Sequence, residues 1–163
     1  MYPDDYRYTT EHEWVRVEDD IAVLGVTDFA QKELGEVVFV ELPQVGHVYD
    51  AGDEIGTIES VKAVAEIFTP IAGEIVEVNE ALADDPELVN EDPHVDGWLV
   101  KIRFSASSDL DSLMDAEAYG EFLCAIFDEW AARDTARIEV QAFEEATRPA
   151  RGLEHSLCIL RET

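Results

Sequence analysis

The sequence predicts a mainly β fold: a small sandwich or barrel of short antiparallel strands, with short helices and one C-terminal helix. Three observations predict it. Short β-branched runs follow one another closely from Glu13 to Phe104, and Gly or Pro marks the breaks between them. Helical spacing is confined to brief segments until residue 109. Beyond it, Tyr119, Phe122, Leu123, Ile126, Phe127 and Trp130 keep a helical phase without interruption. With 163 residues and 47% hydrophobic content, the chain fits one domain with a packed core and room for an appendage.

The elements follow in order. "EWVRVEDDIAVLGV" (13–26) reads as a hairpin, with Trp14, Val15 and Val17 leading into an acidic turn and Ile21, Val23 and Leu24 leading out. "TDFAQKELGE" is a short helix, capped by Thr27 or Asp28 and stopped by Gly35. "EVVFVELP" (36–43) is a strand closed by Pro43, and turns are expected at Gly46 and Gly52-Asp53. Strands are expected from Glu54 to Glu59 and from Ala63 to Phe68, then at "EIVEVN" (74–79) and "GWLVKIRF" (97–104). Between the last two, Asp85 is placed to cap a helix with Pro86 at its first position.

Charge divides the chain. Acidic residues outnumber basic ones 38 to 11, for a net charge of −27, yet residues 124–163 hold 8 acidic and 5 basic side chains, all five arginine. Two parts are therefore expected: residues 1–123 as the domain, and 124–163 as a distinct extension, helical in its first part. So acidic a surface repels nucleic acid and anionic membranes. It fits a salty cytoplasm, where at roughly 1 M salt the Debye length of about 3 Å screens crowded carboxylates. An acidic protein of ordinary habitat is the plainer account. No apolar run is long enough to span a membrane, and "MYPDDYRYTTEHEW" lacks a signal-peptide core, so a cytoplasmic location is expected.

The familiar enzyme signatures are missing. Cys124 and Cys158 form no CxxC pair and are expected to be free thiols, and His12, His47, His94 and His155 have no zinc-like spacing. There is no GxGxxG, Walker-type loop or GxSxG elbow. One feature does carry chemistry. In "GTIESVKAVAEIFTP" (56–70), Lys62 falls at the join of two apolar strands, in a chain whose only other lysines are Lys32 and Lys101. A lysine that accepts a prosthetic group needs a tight, exposed turn between rigid strands. A solvated surface charge would occupy the same position.

The wider sequence decides between these. "YTTEHEWVRVEDDIAVLGVTDFAQKELGEVVFVELPQVG", "ESVKA", "PIAGEIVEVNEALADDPELVNEDP", "GWLVKI" and "LDSLMDAEAYGEFL" occur in one order, and together they resemble the glycine cleavage system H protein family, a lipoyl carrier family, from about Tyr6 to Leu123. The resemblance implies a barrel-sandwich hybrid fold, like that of lipoyl and biotinyl carriers. It implies lipoate in amide linkage to Lys62, attached by a lipoate-attaching enzyme. It also implies a shuttling substrate rather than a catalyst. Its partners would be a pyridoxal-phosphate glycine decarboxylase, a tetrahydrofolate-dependent aminomethyltransferase and dihydrolipoamide dehydrogenase, and it would work as a monomer.

In that family the loaded arm folds into a surface cleft that excludes water, and Glu13 of "HEW" is the expected carboxylate for its cationic amine. Glu11, Glu33 and Glu66 are further acidic residues near that surface, although positions 11 and 33 are often not acidic in the family. The nearest alternatives are the lipoyl domain of another multienzyme complex, which would lack "HEW" and the "TDFAQKELG" helix, and an unmodified binding or scaffold domain. A biotin carrier would need methionines where Val61 and Ala63 stand.

Overall fold

The computed structural model describes residues 2–104 and 109–133. Most of the expected extension, including Cys158, lies outside the described residues, and Cys124 is a free thiol. The chain divides into two compact units, residues 1–116 and 117–163.

The first unit is a two-sheet β structure, as the sequence predicts. Strands β1 (Tyr6–Tyr8), β2 (Glu13–Glu18), β3 (Ile21–Val26), β4 (Val37–Glu41), β5 (Val48–Tyr49), β6 (Glu54–Ser60), β7 (Val64–Phe68), β8 (Gly73–Val78) and β9 (Val100–Phe104) are joined by helices α1 (Asp28–Leu34) and α2 (Leu88–Glu91) and short 3-10 turns. One sheet has six strands in the order β1-β2-β3-β9-β8-β5, and the other has three in the order β4-β6-β7. Every pairing among them is antiparallel. The second unit contributes α3 (Ala116–Arg133), which begins at the last residue of the first and carries Tyr119 to Trp130 in the helical phase expected.

The alternation of apolar residues explains why two sheets form. Val15, Leu24, Ile75 and Ile102 of the larger sheet join Val40, Ile58 and Ile67 of the smaller one in a single buried cluster. Fully burying each such side chain contributes about 1.5–3 kcal/mol. In the three-stranded sheet the row Val40–Ile58–Ala65 turns inward. The adjacent rows Phe39–Glu59–Val64 and Glu41–Thr57–Glu66 must then point outward, because strand side chains alternate with period two.

A second, aromatic core covers the N-terminal end of the six-stranded sheet. Trp14 is fully buried, and its ring lies 4.8 Å from that of Tyr6 and 6.1 Å from that of His94. Its indole N–H donates to the Pro93 carbonyl at 2.9 Å, and the Tyr6 hydroxyl donates to the His94 carbonyl at 3.0 Å. The loop holding Pro93 and His94 is thereby tied to β1 and β2. The indole needs a bare backbone opposite, and Gly25, its register partner on β3, supplies one.

Several boundaries differ from expectation, most by one or two residues. Helix α2 starts at Leu88 and has no side-chain cap. Asp85 is drawn into the preceding 3-10 turn by its N–H bond to Ala81, and only its carbonyl faces Leu88. Strand β9 starts at Val100 rather than at Gly97, because the Asn79 amide holds the Asp96 and Trp98 carbonyls at 2.8 and 2.7 Å in a loop. Ala63 belongs to the turn before β7, not to the strand. The edge strands β1 and β5 were not expected, being too short to show a period.

A Cβ on Gly25 would stand 2.4–2.7 Å from three atoms of the Trp14 indole. We expect Gly25→Ala to cost about 1–3 kcal/mol by overpacking, seen as a lower urea midpoint followed by tryptophan fluorescence.

Candidate functional site

The hairpin of β6 and β7 pairs Glu59 with Val64, which leaves Val61, Lys62 and Ala63 beyond the ladder. Ser60 organises this tip. Its N–H donates to the Ala63 carbonyl at 2.8 Å, as does its hydroxyl at 3.1 Å. The same hydroxyl oxygen accepts the N–H groups of Lys62 at 3.3 Å and Ala63 at 3.0 Å. A short polar side chain that closes a turn on itself fixes the backbone at little entropic cost. Val61, Lys62 and Ala63 are all exposed. The tip therefore offers a fixed backbone and an exposed lysine.

The tip also rests on the connection between α1 and β4. The Val61 N–H donates to the Glu36 carbonyl at 3.0 Å. Gly35 ends α1 with φ of 77°, a conformation that favours glycine, and a Cβ there would stand 3.6 Å from Cε and 4.0 Å from Cδ of Lys62. The lysine stem thus runs beside bare backbone.

That connection is itself held by Asn90 of α2. Asn90 Oδ1 accepts the Val37 N–H at 2.9 Å, while Nδ2 donates to the Gly35 carbonyl and to Gln31 Oε1, each at 2.9 Å. One backbone donor and one backbone acceptor fix the orientation of the amide unambiguously. Gln31, which is buried, passes the contact on by donating to Asp28 at 2.9 Å.

The surface around the tip is mixed. Phe39 and Val38 are each 50% exposed, Val61 70% and Val64 65%. Phe39 and Val64 flank Glu59 in one outward row, and Glu41 and Glu66 lie in the next. Large apolar side chains at such exposure, with carboxylates in the next row, set this face apart from a wholly polar surface.

The expected carboxylates are dispersed. Glu13 is buried at 4% exposure; it accepts the Thr9 hydroxyl, and its own N–H donates to Thr9 Oγ1 at 3.0 Å. Burial raises its pKa, opposed by the Thr9 bond and by hydrogen bonds to its own and the Phe68 backbone. Phe68 ends β7, six residues beyond Lys62, so an extended chain separates the two by about 20 Å. Glu11 is exposed and adds a repelling charge to Glu13. Glu66 is exposed on β7 between the two ends, and Glu33 is half-buried in the last turn of α1. Glu11, Glu13 and Glu66 lie outside the turn, and Glu33 stands two residues before Gly35, whose backbone borders the Lys62 stem. Among the described residues there is no cluster of side chains able to hold a metal ion, and no helix is long and apolar enough to cross a membrane.

Comparison with known proteins shows the family of the chain. The family model described as "Glycine cleavage H-protein" matches residues 6–126. The chain belongs to that family. It is 53% identical over 118 residues to the glycine cleavage system H protein of Bacteroides thetaiotaomicron, covering 72% of this chain and 94% of the relative. With the Carboxydothermus hydrogenoformans protein of the same name, identity is 48% over 123 residues, or 76% and 95% of the two chains. The crystal structure of the Mycobacterium marinum glycine cleavage system H protein superposes with a TM-score of 0.70 at 36% identity, covering 76% of this chain and 99% of that one. The fold is accordingly the lipoyl-carrier barrel-sandwich, and members of the family are the lipoyl carriers of the glycine cleavage system.

The sequence drew attention to Lys62 but gave no sign of Asn90 or Gln31. Their bonds to Val37 and to one another cross 53 and 59 positions, far outside any local pattern.

One residue beside Glu13 makes stability depend on pH. His12 has φ of 73°, packs 4.4 Å from the Phe29 ring, and is pushed down by burial to a pKa of about 4. The unfolded chain binds a proton at this position below about pH 6.5, whereas the folded chain refuses it until about pH 4. Stability should therefore fall on acidification through that window. His12→Asn, which tolerates the positive φ, should flatten urea midpoint against pH between 4 and 6.5; curves parallel to wild type would contradict this origin.

Proposed function

We propose that this chain is the lipoyl carrier of a glycine cleavage system, acylated on Lys62. It takes the aminomethyl group of glycine from the pyridoxal-phosphate decarboxylase to the tetrahydrofolate-dependent aminomethyltransferase, and dihydrolipoamide dehydrogenase then reoxidises it. It acts as a shared substrate of these enzymes rather than as a catalyst, as a cytoplasmic monomer. Residues 1–123 are the carrier, and 124–163 an extension to it. The observation that carries this reading is Lys62 itself, exposed on a turn closed by Ser60 in a chain of this family.

When attached, lipoate supplies a strained ring disulfide that accepts a carbon nucleophile and two electrons together. The residues of the chain have three tasks. Ser60 holds the turn so that an acylating enzyme meets one amine in one place. Phe39 and Val64, on either side of Glu59, give that enzyme and the later partners an apolar surface next to Lys62. Glu13 supplies the carboxylate for a cationic amine at the far end of β7, and its burial strengthens such a charge-assisted bond by keeping water away. Glu66 lies on the path between.

The assignment of Lys62 is tested by intact mass and peptide mapping after co-expression with a lipoate ligase. One lipoyl group is expected on the peptide containing Lys62 and none on Lys62→Arg. Modification at another residue, or none while a known carrier is loaded, overturns it.

We also assign the acidic surface to a high-salt cytoplasm. Exposed Glu41, Glu59 and Glu66 share one sheet face, where screening relieves their mutual repulsion. The urea midpoint should rise between about 0.1 M and 1 M potassium chloride. A midpoint that falls rules this out.

A further inference from the structure

We propose that Asn90 is a positioning residue for Lys62, setting the place of the acceptor lysine through the backbone although it lies 28 positions away in sequence. The proposal rests on Lys62 as the acylated residue, and its physical basis is a continuous set of contacts.

Asn90 divides its side-chain amide between the connection from α1 to β4 and α1 itself. It accepts from Val37 N–H, donates to the Gly35 carbonyl, and donates to Gln31 of α1. The residue between Gly35 and Val37 is Glu36, and its carbonyl takes the Val61 N–H of the hairpin tip at 3.0 Å. Gly35 borders the Lys62 stem. Asn90 thus clamps both neighbours of the residue whose carbonyl accepts the Val61 N–H. The other restraints on the connection are backbone ones, the Gly35 N–H bond to the Gln31 carbonyl and the pairing of Val37 with Ser60. Glu36 is exposed, Gly35 has no side chain, and the φ of Gly35 lies where glycine backbone is freest to move.

The side-chain bonds of Ser60 fix the shape of the turn within the hairpin, and its pairing with Val37 of β4 holds the end of the strand. Val61, one residue further out, needs a restraint of its own. The Val61–Glu36 bond supplies that second restraint, and it is only as firm as the loop that carries Glu36. An enzyme that must bring an activated acyl group within bonding distance of one amine is sensitive to such placement.

The experiment compares wild type with Asn90→Ala, by amide hydrogen exchange and by kinetics of lipoylation with a lipoate ligase, lipoate and ATP. Asn90→Ala should speed exchange of the Val61 amide by about tenfold while the Leu24 amide, in the β2–β3 ladder, keeps its wild-type rate. The kcat/KM for the protein as acceptor should fall by about tenfold with the thermal midpoint little changed. If Asn90→Ala folds poorly, Asn90→Asp is used. It keeps the acceptor for Val37 but loses both donors, so it should give the same local loosening to a smaller degree. Unchanged Val61 exchange, or acceleration at Val61 and Leu24 alike, overturns the proposal. So does loosening at Val61 that leaves acceptor kinetics untouched. If wild type is not acylated at Lys62, the functional reading fails on its own, and the exchange data then stand as the test of the clamp.

Discussion

A lysine that must be reachable from solvent cannot be fixed by burying its side chain, so its position has to be set through the backbone beneath it. That constraint organises the site. Ser60 closes the turn on itself, and the Val61 N–H ties the turn to Glu36. The strands below are rigid because Ile58 and Ile67 are buried between two sheets. Each layer passes rigidity to the next. The lysine itself is exposed, while the backbone atoms that determine where it stands are hydrogen-bonded or packed.

The same separation governs charge. Most carboxylates of this strongly acidic chain lie where water and salt screen them, and Lys32 and Lys101 are engaged with Asp28 and Glu77 at 2.9 and 2.7 Å. Such exposed pairs contribute little to stability. Glu13 is the departure. It sits buried beside His12, and burial acts on the two in opposite directions, raising the carboxyl and lowering the imidazole. In each case burial works against the charged form, as low polarity requires. A buried carboxylate that leans on one hydroxyl and on backbone N–H groups is costly to maintain and is therefore informative about function.

Legibility in the sequence followed the range of the interactions. The β2–β3 hairpin, α1 with its Thr27 cap and Gly35 stop, and the β6–β7 hairpin were all visible, because turn residues and period-two or helical spacing are local. The exposed tip at Lys62 was visible for the same reason. Asp85 misled, since an Asp-Pro pair looks like a helix start while a preceding 3-10 turn had already claimed its backbone. Gly97 and Trp98 misled as well, because an amide on Asn79 holds their loop away from the ladder.

The sequence by itself determined that this is a β domain with a lysine on a hairpin tip, and its ordered motifs determined the family. Those properties depend on neighbours in the chain or on several short patterns in series. Only the tertiary structure decided where the tip stands and what stands near it. It brought Asn90 onto the Gly35–Val37 connection, placed Phe39 and Val64 on one outward row, and set Glu13 at the opposite end of β7 from Lys62. The reason is that strand pairing and side-chain amide contacts join residues distant in sequence, and no local pattern records which partner a backbone N–H will find.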